Sequence, residues 1–225
     1  MKYKGIIFDF NGTLFFDSKK HYDAWIEYSK RLRGTSFSDD EMRKYMFGRT
    51  NEDIITYCTG RKPEPELCEK LSREKEALYR EMCINDKENF HLAPYAQELL
   101  DFLCEKNIPH TIATMSIKEN VDFYIKEMNL AKWFDVEKIV YDDGTVAGKP
   151  APDIYLKAAK KLGIEPKDCI VVEDAISGIQ AAEAAGIGKI IAIASLESTE
   201  LYKNIPCVSQ VITDYSNFDT ELFEK

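Results

Sequence analysis

A few polar side chains, far apart in the chain, are of types that can do chemistry together: Asp9 with Asn11, Thr114 with Ser116, Lys149, and the adjacent pair Glu173 and Asp174. A carboxylate such as Asp9 can act as a nucleophile if something screens its charge. Glu173 and Asp174 offer oxygen donors suited to a hard cation. A lysine and a hydroxyl can stabilise oxygen atoms that gain negative charge during a reaction. Each residue alone has a plainer reading. Glu173 and Asp174 could cap the helix that follows them, and Lys149 could be a solvated lysine near a helix start.

What separates the two readings is where the surrounding elements place these residues. Gly5 to Phe8 is a short apolar run ending at Asp9, and Asn11-Gly12-Thr13 follows as a tight loop. Beyond Pro94 the pattern alternates: helix at about 95–106, strand 110–114, helix 118–128, strand near 138–141 and helix 151–162. A buried strand within 168–174, a helix over 176–185 and a strand over 189–194 continue it. Such alternation predicts an α/β fold with a parallel sheet and helices on both faces. In that architecture the binding crevice lies at the carboxyl ends of the strands. These residues stand after three different strands, with Lys149 at the start of a helix, so they converge on one edge. A carboxylate, a hydroxyl, a lysine and an acidic pair converging there point to phosphoryl transfer or a metal site.

Residues 17–90 interrupt the alternation. Tyr22, Trp25, Ile26 and Ser29 share one helical face, Leu67, Leu71, Leu78 and Met82 another, and Ser38 precedes an acidic turn. Gly34, Gly48, Gly60, Pro63 and Pro65 punctuate the stretch. The expected organisation is a core of residues 1–16 and 91–225 with an all-helical insertion over 17–90.

With these motifs in place, the chain resembles the haloacid dehalogenase (HAD) superfamily phosphohydrolases, in the branch near β-phosphoglucomutase and phosphoglycolate phosphatase. Asp9-Phe10-Asn11-Gly12-Thr13 is similar to the family's D-x-D-G-T/V motif except at its second carboxylate. Thr114-Met115-Ser116 resembles the hydroxyl motif, and Gly148-Lys149-Pro150-Ala151-Pro152-Asp153 the lysine motif. The run from Val172 through Glu173-Asp174 to Ala182 resembles the acidic motif, with Ser177-Gly178 read as allowing close packing near the site. The helical insertion sits where this branch keeps its cap.

The resemblance implies a Rossmann-like HAD core with an inserted helical cap. It implies a phosphohydrolase, dependent on Mg2+, acting on a small phosphorylated metabolite such as a sugar phosphate through an aspartyl-phosphate on Asp9. The ion would be held by Asp9 and Asp174, the backbone carbonyl of Asn11, and Glu173 directly or through water. Thr114 and Lys149 would stabilise the transferring group, and Gly12, Thr13, Met115 and Ser116 would bind substrate. Substrate choice falls to the cap, where Arg49 is the candidate contact and His21-Tyr22-Asp23-Ala24-Trp25 resembles an H-x-x-A-W stretch. A phosphomutase, or a weakly active or noncatalytic ligand-binding relative, is the alternative.

The departure at Asn11 keeps these alternatives open, because the family's aspartate there moves protons and an amide cannot at neutral pH. Proton transfer is commonly worth about 10² to 10⁴ in rate, roughly 3 to 5.5 kcal/mol of barrier. A substrate with a good leaving group, a substitute acid such as His21, or a loss of turnover would each account for the asparagine. Deamidation of the Asn11-Gly12 pair is a fourth route, opposed by the tight loop.

Composition narrows the field further. At 225 residues the chain is about one and a half domains long. With 44% hydrophobic and 31% charged residues it reads as globular. Thirty Lys and Arg against 39 Asp and Glu give a net charge of −9, a poor match to a nucleic-acid backbone. No run approaches the ~18–20 apolar residues of a membrane span, and the start lacks a signal peptide's apolar segment. A cytoplasmic monomer with a small-molecule substrate is expected. The six cysteines are scattered and read as reduced packing thiols. Gly144 to Lys149 is too short for a phosphate-binding P-loop, and Gly186 and Gly188 lack the third glycine of a dinucleotide fingerprint.

Overall fold

The computed structural model describes residues 2–46, 49–195 and 197–223, so Gly48 lies outside the described residues. In chain order the elements are β1 (Gly5–Phe8), α1 (Ser18–Arg33), α2 (Asp39–Tyr45), α3 (Asn51–Thr59), α4 (Pro65–Asn85), α5 (Ala96–Glu105) and β2 (His110–Ile117). They continue with α6 (Lys118–Glu127), β3 (Val140–Asp142), α7 (Asp153–Leu162), β4 (Cys169–Glu173), α8 (Ile176–Ala184), β5 (Lys189–Ile193), α9 (Thr199–Lys203) and β6 (Val208–Ile212). The chain divides into two compact units, Met1–Phe16 with His91–Lys225, and Asp17–Phe90.

The first unit is a six-stranded parallel sheet in the order β3-β2-β1-β4-β5-β6. All of β1 and β4 is buried, as expected where helices cover both faces of a sheet and the strands carry unbroken apolar runs. Ile7, Ala113, Val171 and Ala192 of the strands pack with Ala158 of α7 and Ile179 of α8. Strand order runs outward in both directions from β1 and β4, which makes the gap beyond their carboxyl ends the switch point where such sheets bind ligands.

Several boundaries differ from the sequence expectation for identifiable reasons. β2 continues to Ile117, because its pairing with β3 resumes at Ile117 and Asp142 after an irregularity that follows Ala113 and Val140. Thr114 and Ser116 therefore lie inside a strand. The helix expected from residue 151 starts at Asp153, with Pro152 at its cap position, and Lys149 stands in the preceding loop, joined to Pro150 by a cis peptide bond. β6 was not expected at all. It is an edge strand of half-exposed Val and polar Ser209 and Gln210, without the apolar run that marks the central strands.

The second unit contains α1 to α4 around Trp25, Tyr28, Met42, Ile55 and Leu78. Ser38 with Glu41 and Thr50 with Asp53 form capping boxes that start α2 and α3. In α1 the buried face holds Ala24, Trp25, Tyr28 and Ser29, while Tyr22 and Ile26 are only partly buried. Of the Leu67-Leu71-Leu78-Met82 stripe of α4, Leu78 is buried and Leu71 and Met82 pack against the same cluster, but Leu67 does not. Leu67 is 47% exposed, whereas Lys75 and Glu76 are 1% and 5% exposed. Their charges are satisfied inside the unit: Lys75 donates to Glu76 at 2.9 Å, and Glu76 accepts from Asn51 at 3.0 Å. The inner side of α4 thus combines apolar residues with a buried ion pair.

All six cysteines are free thiols, four of them buried. No helix among the described residues is long and apolar enough to cross a membrane.

Candidate active site

Strand register assembles the first part of the site. Phe8, the last residue of β1, lies level with Val172 of β4 on one side and Ile112 of β2 on the other. Asp9 follows Phe8, donates its backbone N–H to the Val172 carbonyl at 3.0 Å, and so leaves the sheet beside Glu173. Lys149 Nζ reaches Asp9 Oδ1 at 2.6 Å and also pairs with Glu173 Oε1. Glu173 accepts from Tyr155 OH and from the Ala175 N–H, both at 2.8 Å. Asp174 accepts from Thr13 Oγ1 at 3.1 Å, and its carbonyl accepts from Tyr202 OH at 2.5 Å.

Two glycines make room for these carboxylates. Gly12 has φ of 72° and would strike the Asp174 carboxylate with any Cβ. Gly178, on α8, would strike the Glu173 carboxylate in the same way. Close approach, not chain flexibility, is what Gly178 provides.

Asp9, Glu173 and Asp174 each present a carboxylate oxygen, all within 4.8 Å of one another. Against these three negative groups stands the Lys149 ammonium. Burial works to lower the Lys149 pKa, but Asp9 and Glu173 hold it well above the ordinary lysine value. Burial, followed by the neighbouring Glu173 and Asp9 charges, pushes Asp174 well above the ordinary carboxylate value. Clustered oxygen donors with surplus negative charge and no nitrogen or sulfur fit a hard divalent cation.

The other side of Asp9 is built from hydroxyls. Asn11 Oδ1 accepts from Ser116 Oγ at 2.6 Å and from Thr114 Oγ1 at 3.4 Å. Its Nδ2 donates to Tyr124 OH at 2.9 Å. Thr114, 2% exposed, also accepts from the Ser116 N–H at 3.1 Å. Tyr124 is fixed by stacking on Phe10, with ring centroids 4.5 Å apart. Met115 directs its side chain toward Gly148 in the lysine loop.

A nucleophile-type carboxylate at the switch point, a buried lysine and a paired acidic motif set the terms for comparison with known proteins. A family model described as a hydrolase, haloacid dehalogenase-like hydrolase, matches residues 3–186. The chain is a haloacid dehalogenase-like hydrolase. A crystal structure of an HAD hydrolase, family IA, variant 3, from Entamoeba histolytica is similar with a TM-score of 0.93 and 41% identity, covering 98% of this chain and 97% of that one. A phosphorylated carbohydrates phosphatase of Thermotoga maritima is 28% identical over 193 residues, 84% of this chain and 85% of the relative. A fructose-1-phosphate phosphatase of Escherichia coli is 28% identical over 191 residues, 84% and 96% of the two chains. With relatives of these names, the hydrolase is of the phosphatase type.

Within this hydrolase, Asp9, Asn11, Gly12, Thr13, Thr114, Met115, Ser116, Lys149, Glu173 and Asp174 all belong to the sheet-bearing unit, whereas His21 and Arg49 belong to the other. His21 Nδ1 lies 2.8 Å from Lys75 Nζ, and its ring stacks on Tyr79 at 3.9 Å. Its Nε2 lies 3.4 Å from Asp17 Oδ2. Tyr79 OH also donates to Asp17. Arg49 is exposed, next to the Thr50 cap of α3. Tyr124, Tyr155 and Tyr202 were not among the sequence candidates. They reach the site from helices α6, α7 and α9, and a search along strand ends has no signal for them.

Proposed function

We propose that this hydrolase is a Mg2+-dependent phosphatase for a small phosphorylated metabolite of the sugar-phosphate class, with Asp9 as nucleophile. The observation that carries this reading is the Asp9 carboxylate at the switch point, 2.6 Å from Lys149 and clustered with Glu173 and Asp174. The phosphatase names of the sequence relatives support the substrate class. Asp9, Asp174, Glu173 and the backbone carbonyl of Asn11 would hold the ion, whose charge lets an anionic nucleophile meet an anionic phosphoryl group.

The chain's own groups account for the rest. One Asp9 oxygen attacks phosphorus as the bond to the leaving oxygen breaks, giving an aspartyl-phosphate and a leaving group that carries off the electron pair and gains its proton from solvent. Lys149 holds the carboxylate in position and places positive charge where the equatorial oxygens gain electron density. Thr114 and Ser116 donate to Asn11 in the free enzyme and would turn their hydroxyls to the same oxygens once substrate is bound. Water then attacks phosphorus, the bond to Asp9 breaks, and the carboxylate is restored. Phosphate release from an aryl phosphate with Mg2+ tests the assignment: D9N should lose about 10⁴-fold in kcat or more, and a chelator should abolish turnover until Mg2+ is returned. A D9N chain as active as the native one overturns it.

A further inference from the structure

When a phosphate ester is cleaved, the leaving oxygen takes the electron pair of the broken bond and must either depart as an anion or receive a proton. The hydrogen-bond partners described for the Asn11 side chain are hydroxyls, with no carboxylic acid or imidazole among them. The Asn11 amide has no proton to give at neutral pH. It is held in place by Ser116 Oγ, Thr114 Oγ1 and Tyr124 OH. The Lys149 ammonium is committed to Asp9 and Glu173. An amide held by three hydroxyls is a positioning device.

We propose that the site selects phosphoryl donors whose leaving group departs as an unprotonated anion: acyl, enol and aryl phosphates and, among sugar phosphates, esters of the more acidic anomeric hydroxyl over those of a primary alcohol. The inference rests on Asp9 being the nucleophile of a phosphatase and narrows that enzyme's substrate class. In the first step the Asp9 oxygen bonds to phosphorus, and the phosphorus–oxygen bond to the leaving group breaks. The electron pair leaves with that oxygen, which takes its proton afterwards from solvent. In the second step water attacks the phosphorus and Asp9 is released, the water's proton passing to solvent as inorganic phosphate departs. The second step is common to every substrate, so it sets one ceiling on kcat, while the first step makes kcat/KM depend on the leaving group.

The test is a series of aryl phosphates of graded phenol acidity, together with acetyl phosphate and a primary alkyl phosphate, turned over by the full chain with Mg2+. In the native chain, kcat/KM should fall steeply along the series, with the alkyl ester at least about 10²-fold below the most activated aryl ester. The activated esters should share one kcat and show a burst of phenol. N11D, nearly isosteric and able to accept from all three hydroxyls, should raise kcat/KM for the alkyl ester at least about tenfold relative to that of the most activated ester. A flat series in the native chain overturns the inference, as does an N11D chain that raises every ester equally or none. The native series decides the matter even if N11D does not fold. If turnover is lost in D9N yet the native series is flat, only this inference fails. If no ester is turned over, the phosphatase reading fails as well.

Discussion

Lys149 bonds at once to the Asp9 and Glu173 carboxylates in a buried setting, so its removal has consequences in the metal-free protein as well as in catalysis. Breaking one side of a buried ion pair typically costs about 3–5 kcal/mol. K149M should therefore be destabilised by roughly that amount in chelator, measured by denaturant unfolding, and Mg2+ should restore more stability to the variant than it adds to the native chain. Asp174 gives the pH dependence. Burial and its acidic neighbours raise it above the ordinary value of 3.8, so between that value and the raised one the folded chain holds a proton that the unfolded chain has lost. Metal-free stability should accordingly fall as pH rises through this window. Mg2+ favours the carboxylate, so its binding releases protons and its stabilising effect should grow with pH. Thermal unfolding across pH, with and without Mg2+, reads both trends. A Mg2+ effect that shrinks as pH rises would exclude Asp174 as a ligand.

At the scale of elements, how much the sequence disclosed depended on what each element buries. β1 and β4 are buried on both faces and appear as the runs Gly5–Phe8 and Cys169–Glu173, so the carboxylates just past them were legible as candidates. β6 is a half-exposed edge and gave no such run. α4 was legible in Leu71, Leu78 and Met82, but not in the buried Lys75 and Glu76, whose pairing is visible only in three dimensions. The tyrosines of α6, α7 and α9 escaped for a related reason: helical spacing shows that a residue faces the sheet, not which atom its hydroxyl reaches. α2 offers a test of local design. Arg33, then the Ser38 N–H and Tyr57, hold the Glu41 carboxyl well below its ordinary 4.5. Such a depressed group stabilises the fold above its unfolded value, and the contribution fades as pH falls toward the folded one. E41Q should thus lower stability at neutral pH, with the gap from the native chain narrowing below about pH 4.5, as read by denaturant unfolding. A gap independent of pH would show that the carboxylate's charge is not what matters.

For the whole molecule, the net charge of −9 takes on a local meaning. Three of the acidic residues stand within 4.8 Å of one another, and an anionic substrate is compatible with them once a divalent cation reverses the sign of the site. The sheet order and the register of β1 with β4 bring Asp9 to the switch point beside Glu173. The most direct measurement is acid-quenched mass spectrometry of the native chain and D9N mixed with Mg2+ and an activated aryl phosphate. The account predicts one added phosphoryl group on the peptide containing Asp9 in the native chain and none in D9N. A phosphoryl group on another residue, or undiminished phosphate release by D9N, would contradict it.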